Sequence, residues 1–425
     1  MQLRYQYRIE PSPGQRVMLA RTFGCCRTVF NDALARRKAD FEAGKPALSR
    51  SLLQKAVITD AKQSPERAWL AEVSSVALIQ AHNDLLVAFN NFFASVTSKR
   101  KGRRVGFPRF RSRHDNRQSA RFTRNGFQVR GNGRLFLAKI GEVRVRWSRP
   151  LPSAPSSVTV IQDAAGRFFA SFVIETDEVT DAGRFPEVMA EVGIDVGLKA
   201  FAVLSNGQVV ESPNFLRRAE RKLRRTQQSL SRKQKGSNNR KRQVKTVARV
   251  HARVADARHE FHHQLSTTII RENQTVIVED LAVANMLKSR RLAKSVSDAG
   301  WASFTGMLEY KAARYGRTFH RISRFEPTTQ QCSTCGERTG PKGQSELHIR
   351  TWVCALCGAR HDRDLNAAIN ILAAGRAERL NASGDQIRPG RARTTPAPVG
   401  ERGTHQSDRL RAKPALTGAV GIPAL

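Results

Sequence analysis

Apolar and polar residues alternate from the start of the chain. Leu3, Tyr5, Tyr7 and Ile9 fall on one face, the pattern of a half-buried strand, and Pro11 and Pro13 stop it. From Gln15 towards Ala43 the period becomes three and four, through Val17, Ala20, Phe23, Val29, Phe30, Ala33 and Leu34, which predicts a helix. Cys25 and Cys26 lie inside it; adjacent helical positions diverge by about 100°, so they read as small core residues rather than joint ligands. Helical spacing also runs from about Ser49 to Phe93. Between Phe122 and Glu175 the runs LFLAKI, VRVRW, SVTVI and FFASFVIE are β-type, separated by Asn132-Gly133, the prolines after Trp147, and Ala165-Gly166. If these strands extend the sheet begun at Leu3, the helical 15–95 segment is an insertion within a β-rich body.

The second half opens with EVGIDVGLKAFAVLSNGQVVES, three strands of a meander turning at Asn206-Gly207. A helical region from Phe215 to Ile270 is interrupted at KQKGSNNRKR, predicting two antiparallel helices joined by a charged tip. QTVIVEDL reads as a buried strand, VSDAGWASFTGMLEYKAARYG as a helix, RTFHRIS as a strand and LNAAINILAAG as a final helix. Beyond about residue 380 the chain is rich in Pro, Gly, Arg and Thr, the composition of a disordered tail.

Charge narrows the function classes. The 425 residues carry 73 Lys and Arg against 36 Asp and Glu, a formal net charge of +37, which points to a polyanion as partner, nucleic acid first. No apolar run approaches the roughly 20 residues of a spanning helix, and the start lacks the apolar core of a secretory signal, so a cytoplasmic or nucleoid protein is expected. The basic residues Lys99, Arg100, Lys101, Arg103, Arg104, Arg109 and Arg111 interleave with Phe107 and Phe110, a pattern suited to backbone contacts with base stacking. Lys233, Lys235, Arg240, Lys241 and Arg242 cluster at the helical tip, as a second contact or as an ordinary solvated face.

Cys332-Ser-Thr-Cys335 and Cys354-Ala-Leu-Cys357 have the spacing with which paired thiolates close a tetrahedral zinc site, and Gly336 and Gly358 allow the tight turns it needs. Four sulfurs leave no open position, so one structural zinc is expected, with His348 and His361 as surface or loop residues. Three acids stand apart from this site. Asp195 follows a strand, Glu279 ends another and Asp364 opens the last helix; in that order an RNase H-type fold gathers carboxylates around two magnesium ions that cut phosphodiesters. Asp280 is expected to face away from Glu279, and Asp362 to support the site or cap the helix.

These segments together resemble a known family. GIDVGLKAFAVLSNG, LSRKQKGSNNRKR, HQLSTTII, VIVEDLAVANM, DAGWASF, PTTQQCSTCG, WVCALCG and HDRDLNAAINIL, with YRIEPSPGQ, FGCCRTVFN and FPRFRSR earlier, resemble TnpB, also called OrfB, the transposon-encoded relative of type V CRISPR effector nucleases. The resemblance spans nearly all of residues 1–375. It implies an α+β multidomain chain: a β-barrel wedge domain (1–12 and 98–185), an inserted helical bundle as recognition domain (13–97), an RNase H-like (RuvC) α/β nuclease domain (186–325 and 360–376), an inserted zinc ribbon (326–359) and a basic tail (377–425). It matches Asp195, Glu279 and Asp364 to the family's catalytic acids. It further implies a guide RNA transcribed from the transposon end and cleavage of double-stranded DNA beside a short adjacent motif; the sequence does not fix the oligomeric state, and a monomer with its RNA is the expectation. A non-catalytic nucleic-acid-binding accessory of transposition and an unguided transposase or resolvase are the competing readings.

Overall fold

The computed structural model describes residues 2–100, 102–175, 185–343, 346 and 348–382. It is an α+β protein that divides into two compact units at about residue 176.

In the first unit, β1 (Gln2–Glu10) buries alternate residues as its pattern dictates. Ser12 then caps α1 (Pro13–Glu42): its hydroxyl accepts the Gln15 N–H at 3.3 Å, and the Gln15 side chain accepts the Ser12 N–H at 2.9 Å. The helical spacing expected from 49 to 93 is not one helix. Short α, π and 3-10 turns occupy Arg50–Glu72, and only α2 (Ser75–Val96) is long. The break follows from Pro65, which disfavours helical geometry at the residue before it; Ser64 has ψ 141°. The remaining strands are β2 (Gln118–Thr123), β3 (Phe127–Val129), β4 (Arg134–Leu137), β5 (Gly141–Arg146), β6 (Ser157–Gln162) and β7 (Phe168–Glu175). They form one antiparallel sheet in the order β2-β6-β7-β1-β5-β4-β3, so the first strand lies at the centre, with the helices inserted between it and β2. The expected barrel is corrected here. Strands β2 and β3 are the two edges and do not pair, so the sheet stays open. Helices and sheet share one apolar core, in which Phe23, Leu34 and Leu78 join Tyr7, Phe122 and Phe172. Cys25 and Cys26 are buried there, and burial raises their thiols to about 11 and about 12.

The second unit is built on β8 (Glu191–Val196), β9 (Ala200–Leu204), β10 (Val209–Glu211), β11 (Thr275–Glu279) and β12 (Thr318–Ile322), ordered β10-β9-β8-β11-β12. The first three form the antiparallel meander; β11 lies parallel to both β8 and β12. Strand β11 reads VIV without alternation because both of its faces are covered. Val192, Ile194, Val276 and Val278 face α4 (Asn238–Glu272) and α5 (Trp301–Arg314), joining Ile269, Phe304 and Leu308 in one core. The opposite face carries Ile277 and Ile322 against Ile371 and Ala374 of α6 (Arg363–Ala382). Helix α3 (Phe215–Ser231) runs into α4 through the charged turn, as its sequence predicts. α6 continues six residues beyond the expected end of its domain at 376; the rest of the tail, 383–425, lies outside the described residues. Between α5 and α6 the short strands β13 (Thr351–Val353) and β14 (Arg360–Asp362) pair within the cysteine-rich ribbon.

Candidate active site and metal centre

Strand alternation decides where the first two acids point. In the parallel register Ile277 pairs with Gly193 and Val278 with Ile194, so the next pair in step is Glu279 beside Asp195. Ile194 and Val278 point into the α4/α5 core; their neighbours Asp195 and Glu279 therefore share the α6 face. Glycine sets how closely α6 approaches. A Cβ on Gly193 would stand 2.3 Å from the Ala368 carbonyl oxygen and 2.6 Å from the Leu372 nitrogen, and one on Gly375 would stand 2.5 Å from Ile277 Cγ2. Asp364 lies four residues, about one turn, before Ala368, and Asp195 lies two residues beyond Gly193. The helix thus carries Asp364 to the strand ends that bear Asp195 and Glu279. Electrostatics agree. Burial, then the charges of Asp364 and Glu279, raise Asp195 to about 7; burial, then Asp280, raise Glu279 to about 7.

Asp364 is held by two guanidiniums, Arg363 at 2.8 Å and Arg350 at 3.1 Å. Asp362 caps α6, its carboxylate accepting the N–H groups of Asp364 at 3.0 Å and Leu365 at 2.9 Å. Asp280 leaves the strand and pairs with Arg324. A cleft of about 380 Å³ runs past Glu279, lined also by Asn285, Trp301, Arg321 and Arg324. The charges of Arg363 and Arg350 offset the rise at Asp195 only in part, and among the described residues Asp195 and Glu279 have no cationic side chain within ion-pair distance. Their all-oxygen donor set, together with Asp364, fits hard divalent cations such as magnesium.

The four cysteines meet in the ribbon with all sulfurs within 4.8 Å of one another. Cys332 and Cys357 Sγ are 3.7 Å apart and Cys335 and Cys354 Sγ 3.6 Å, against the roughly 3.8 Å edge of a tetrahedron with 2.3 Å zinc–sulfur bonds. Gly336 and Gly358 take φ of 83° and 72°, and their N–H groups donate to the Cys332 and Cys354 carbonyls at 2.9 Å, closing each turn. The geometry fits zinc. His361 is not the surface residue expected. It is buried against Trp352, with Nε2 3.0 Å from Cys332 Sγ, because β14 turns it into the ribbon core; His348 is exposed as expected.

The basic segments divide. Lys99, Arg100, Arg103, Arg104 and Arg109 are exposed, while Lys101 lies outside the described residues. Phe107 packs edge-on against Phe89 and Phe92 yet stays 44% exposed. Arg111 is committed internally: its guanidinium stacks 3.8 Å from the Phe30 ring centre and reaches Asp84 at 3.4 Å. At the helical tip Lys235, Lys241 and Arg242 are exposed and Lys233 is half-buried. Arg240 instead donates to the Leu230 and Lys233 carbonyls at 2.8 and 3.0 Å, ending α3. Sequence reasoning missed Arg350 and Arg363. Arg363 was visible beside Asp364 in HDRD; Arg350, inside the ribbon, gave no local signal.

A mixed sheet that gathers three carboxylates, joined to a four-cysteine ribbon on a strongly basic chain, has the make-up of a nucleic-acid-processing protein. Residues 172–290 match the OrfB_IS605 family, described as "Probable transposase"; residues 301–371 match the Cas12f1-like TNB domain; residues 1–46 match a helix-turn-helix domain of OrfB, where the structure has β1 and the single helix α1. A protein of Streptomyces pristinaespiralis named "Putative RNA-guided DNA endonuclease" is 46% identical over 390 residues, covering 91% of this chain and 92% of its own. InsQ of Escherichia coli (strain K12), which carries the same description, is 32% identical over 404 residues, covering 91% and 95%. A cryo-EM structure of a Cas12f1–sgRNA–target DNA complex aligns over 84% of this chain and 82% of its own, at 14% identity and a TM-score of 0.48. The chain belongs to the TnpB/OrfB family.

Proposed function

We propose that this protein is a transposon-encoded, RNA-guided endonuclease that uses magnesium to cut double-stranded DNA beside a short adjacent motif. What supports the reading is the strand register that sets Asp195 in step with Glu279, with Asp364 opening the helix packed on the same face and its charge acting on Asp195. These three side chains would hold two magnesium ions. Bound there, the metal supplies activation of the attacking water and charge neutralisation at the leaving 3′ oxygen. The chain's own residues do the rest. Strand register holds Asp195 beside Glu279, Asp362 fixes the first turn of α6, and Arg350 and Arg363 orient the Asp364 carboxylate. The ribbon, with one structural zinc, anchors Arg350. The name of the Streptomyces relative supports guidance by RNA, and a basic surface suits holding a guide–target duplex by its backbone. Action on DNA in the cytoplasm, at the nucleoid, follows from this reading.

Cleavage and binding measured on the same variants test it. Asp195→Ala, Glu279→Ala and Asp364→Ala should each lose at least about a hundredfold in cleavage while holding RNA and matched DNA at near-normal strength. Asp280→Ala should keep much of its activity. Full cleavage by Asp195→Ala would reject the nuclease assignment. A protein that copurifies with no RNA of about a hundred nucleotides, a length set by the size of its basic surface, would favour the unguided reading instead.

A further inference from the structure

A cavity of about 280 Å³ lies in the second unit; none of the three acids lines it. Two features of its lining relate it to them. Leu198 and Lys199 line it three and four residues after Asp195, and Arg350, which holds Asp364, lines it too. Its apolar lining includes Phe215 and Phe261, which meet edge-on at 6.0 Å. The polar groups divide into two sets. Asp298 binds Arg258 at 3.1 Å and accepts the Leu216 N–H at 2.9 Å, so the amides opening α3 are already taken. Lys199 and Arg217, by contrast, are exposed and have no acidic side chain within ion-pair distance among the described residues. The volume lies near the lower end of small-molecule pockets, about 300–1,000 Å³, which suits one nucleotide and excludes a duplex.

We propose that this cavity is the subsite for one unpaired nucleotide of the DNA strand being cut, its base against Phe215 and Phe261 and its flanking phosphates on Lys199, Arg217 and Arg350. The proposal rests on the nuclease reading and adds where the strand is gripped. Stacking on an aromatic wall accepts any base, because every base has a π face. That suits an enzyme whose sequence choice is made by base pairing elsewhere. Anchoring the neighbouring nucleotide fixes the scissile phosphate against the acids and removes the entropic cost of aligning it. The strand beside the acids is taken as DNA because the proposed function is that of a DNA endonuclease.

Photocrosslinking tests the assignment on the full chain. Asp195→Ala protein is irradiated with an oligodeoxythymidylate of about ten nucleotides, the site size of a single-strand groove, carrying one 5-iododeoxyuridine, and the crosslinked peptides are identified by mass spectrometry. The expected crosslinks fall on peptides containing Phe215 or Phe261. Adding Lys199→Ala and Arg217→Ala, both exposed positions, should weaken them about tenfold while crosslinks to the 98–113 segment persist. In protein with its acids intact, the same pair should lower kcat/KM at least about tenfold, with part of the loss in kcat, because the anchored nucleotide aligns the scissile phosphate. Crosslinks that miss both phenylalanines, or that survive the double substitution, overturn the subsite. Stronger crosslinking by the matching oligouridylate overturns its assignment to DNA. Cavity crosslinks in a wild-type protein that cuts nothing would remove the nuclease reading and leave the nucleotide subsite standing, whereas cleavage without them removes the subsite alone.

Discussion

Asp195 shows what a half-buried carboxyl does to the whole protein. Its carboxyl titrates near 7 when folded, and Glu279 does the same, whereas unfolded chains release these protons at about 3.9 and 4.3. Between about pH 4 and pH 7 the folded state therefore holds more protons than the unfolded one, and stability falls as pH rises through that window. In chelator, the thermal midpoint should drop more steeply between about pH 5 and pH 8 for the wild type than for Asp195→Asn. Magnesium at the upper pH should restore it, since a cation bound only by the folded state stabilises it. Identical pH profiles for the two proteins would mean that Asp195 is not raised. The ribbon gives a second test at this scale. Cys332→Ser removes one of four thiolates from a site whose metal supplies local folding energy. Zinc content should fall and residues 326–362 should become protease-sensitive; a zinc-replete, resistant mutant would contradict the closed site.

Packing of one element carries the third acid. Helix α6 lies so close to β8 that an added methyl at Gly193 meets backbone atoms, which cannot rotate away. Gly193→Ala should cost roughly 1–3 kcal/mol or more and push the Asp364 end of α6 off the sheet. The measurable signature is cleavage reduced far more than nucleic-acid binding, with a lowered denaturation midpoint; normal cleavage would show that α6 can shift without moving Asp364. Elsewhere a basic residue serves its element rather than a partner. Arg240 satisfies the last carbonyls of α3, and the Arg111 guanidinium fills a place between Phe30 and Asp84. Neither role is visible in a run of charge.

Charge acts at the scale of the whole molecule. With +37 to neutralise, affinity for nucleic acid should fall steeply with salt, by a log-log slope of about 0.7–0.9 per phosphate contacted. Replacing the exposed Arg103, Arg104 and Arg109 by alanine should flatten that slope by about 2 to 3, whereas Arg111→Ala should leave it nearly unchanged and lower the stability of the first unit. An unchanged slope in the triple variant would return this segment to an ordinary solvated face.

The sequence by itself determined the elements whose physics is local: the alternation of β1, the helical period of α1, the buried strand β11, and the cysteine knuckles with their glycines. It also marked Asp195, Glu279 and Asp364, because each sits at the end of a recognisable strand or helix. Only the tertiary structure decided how these parts meet. The open order of the seven-stranded sheet depends on pairing between strands far apart in the chain, which no local pattern encodes. The burial of His361 and the grip of Arg350 on Asp364 depend on the ribbon folding back onto the start of α6. Periodicity reports which side of an element is apolar; it does not report which distant side chain will lie against it, and that is settled by packing.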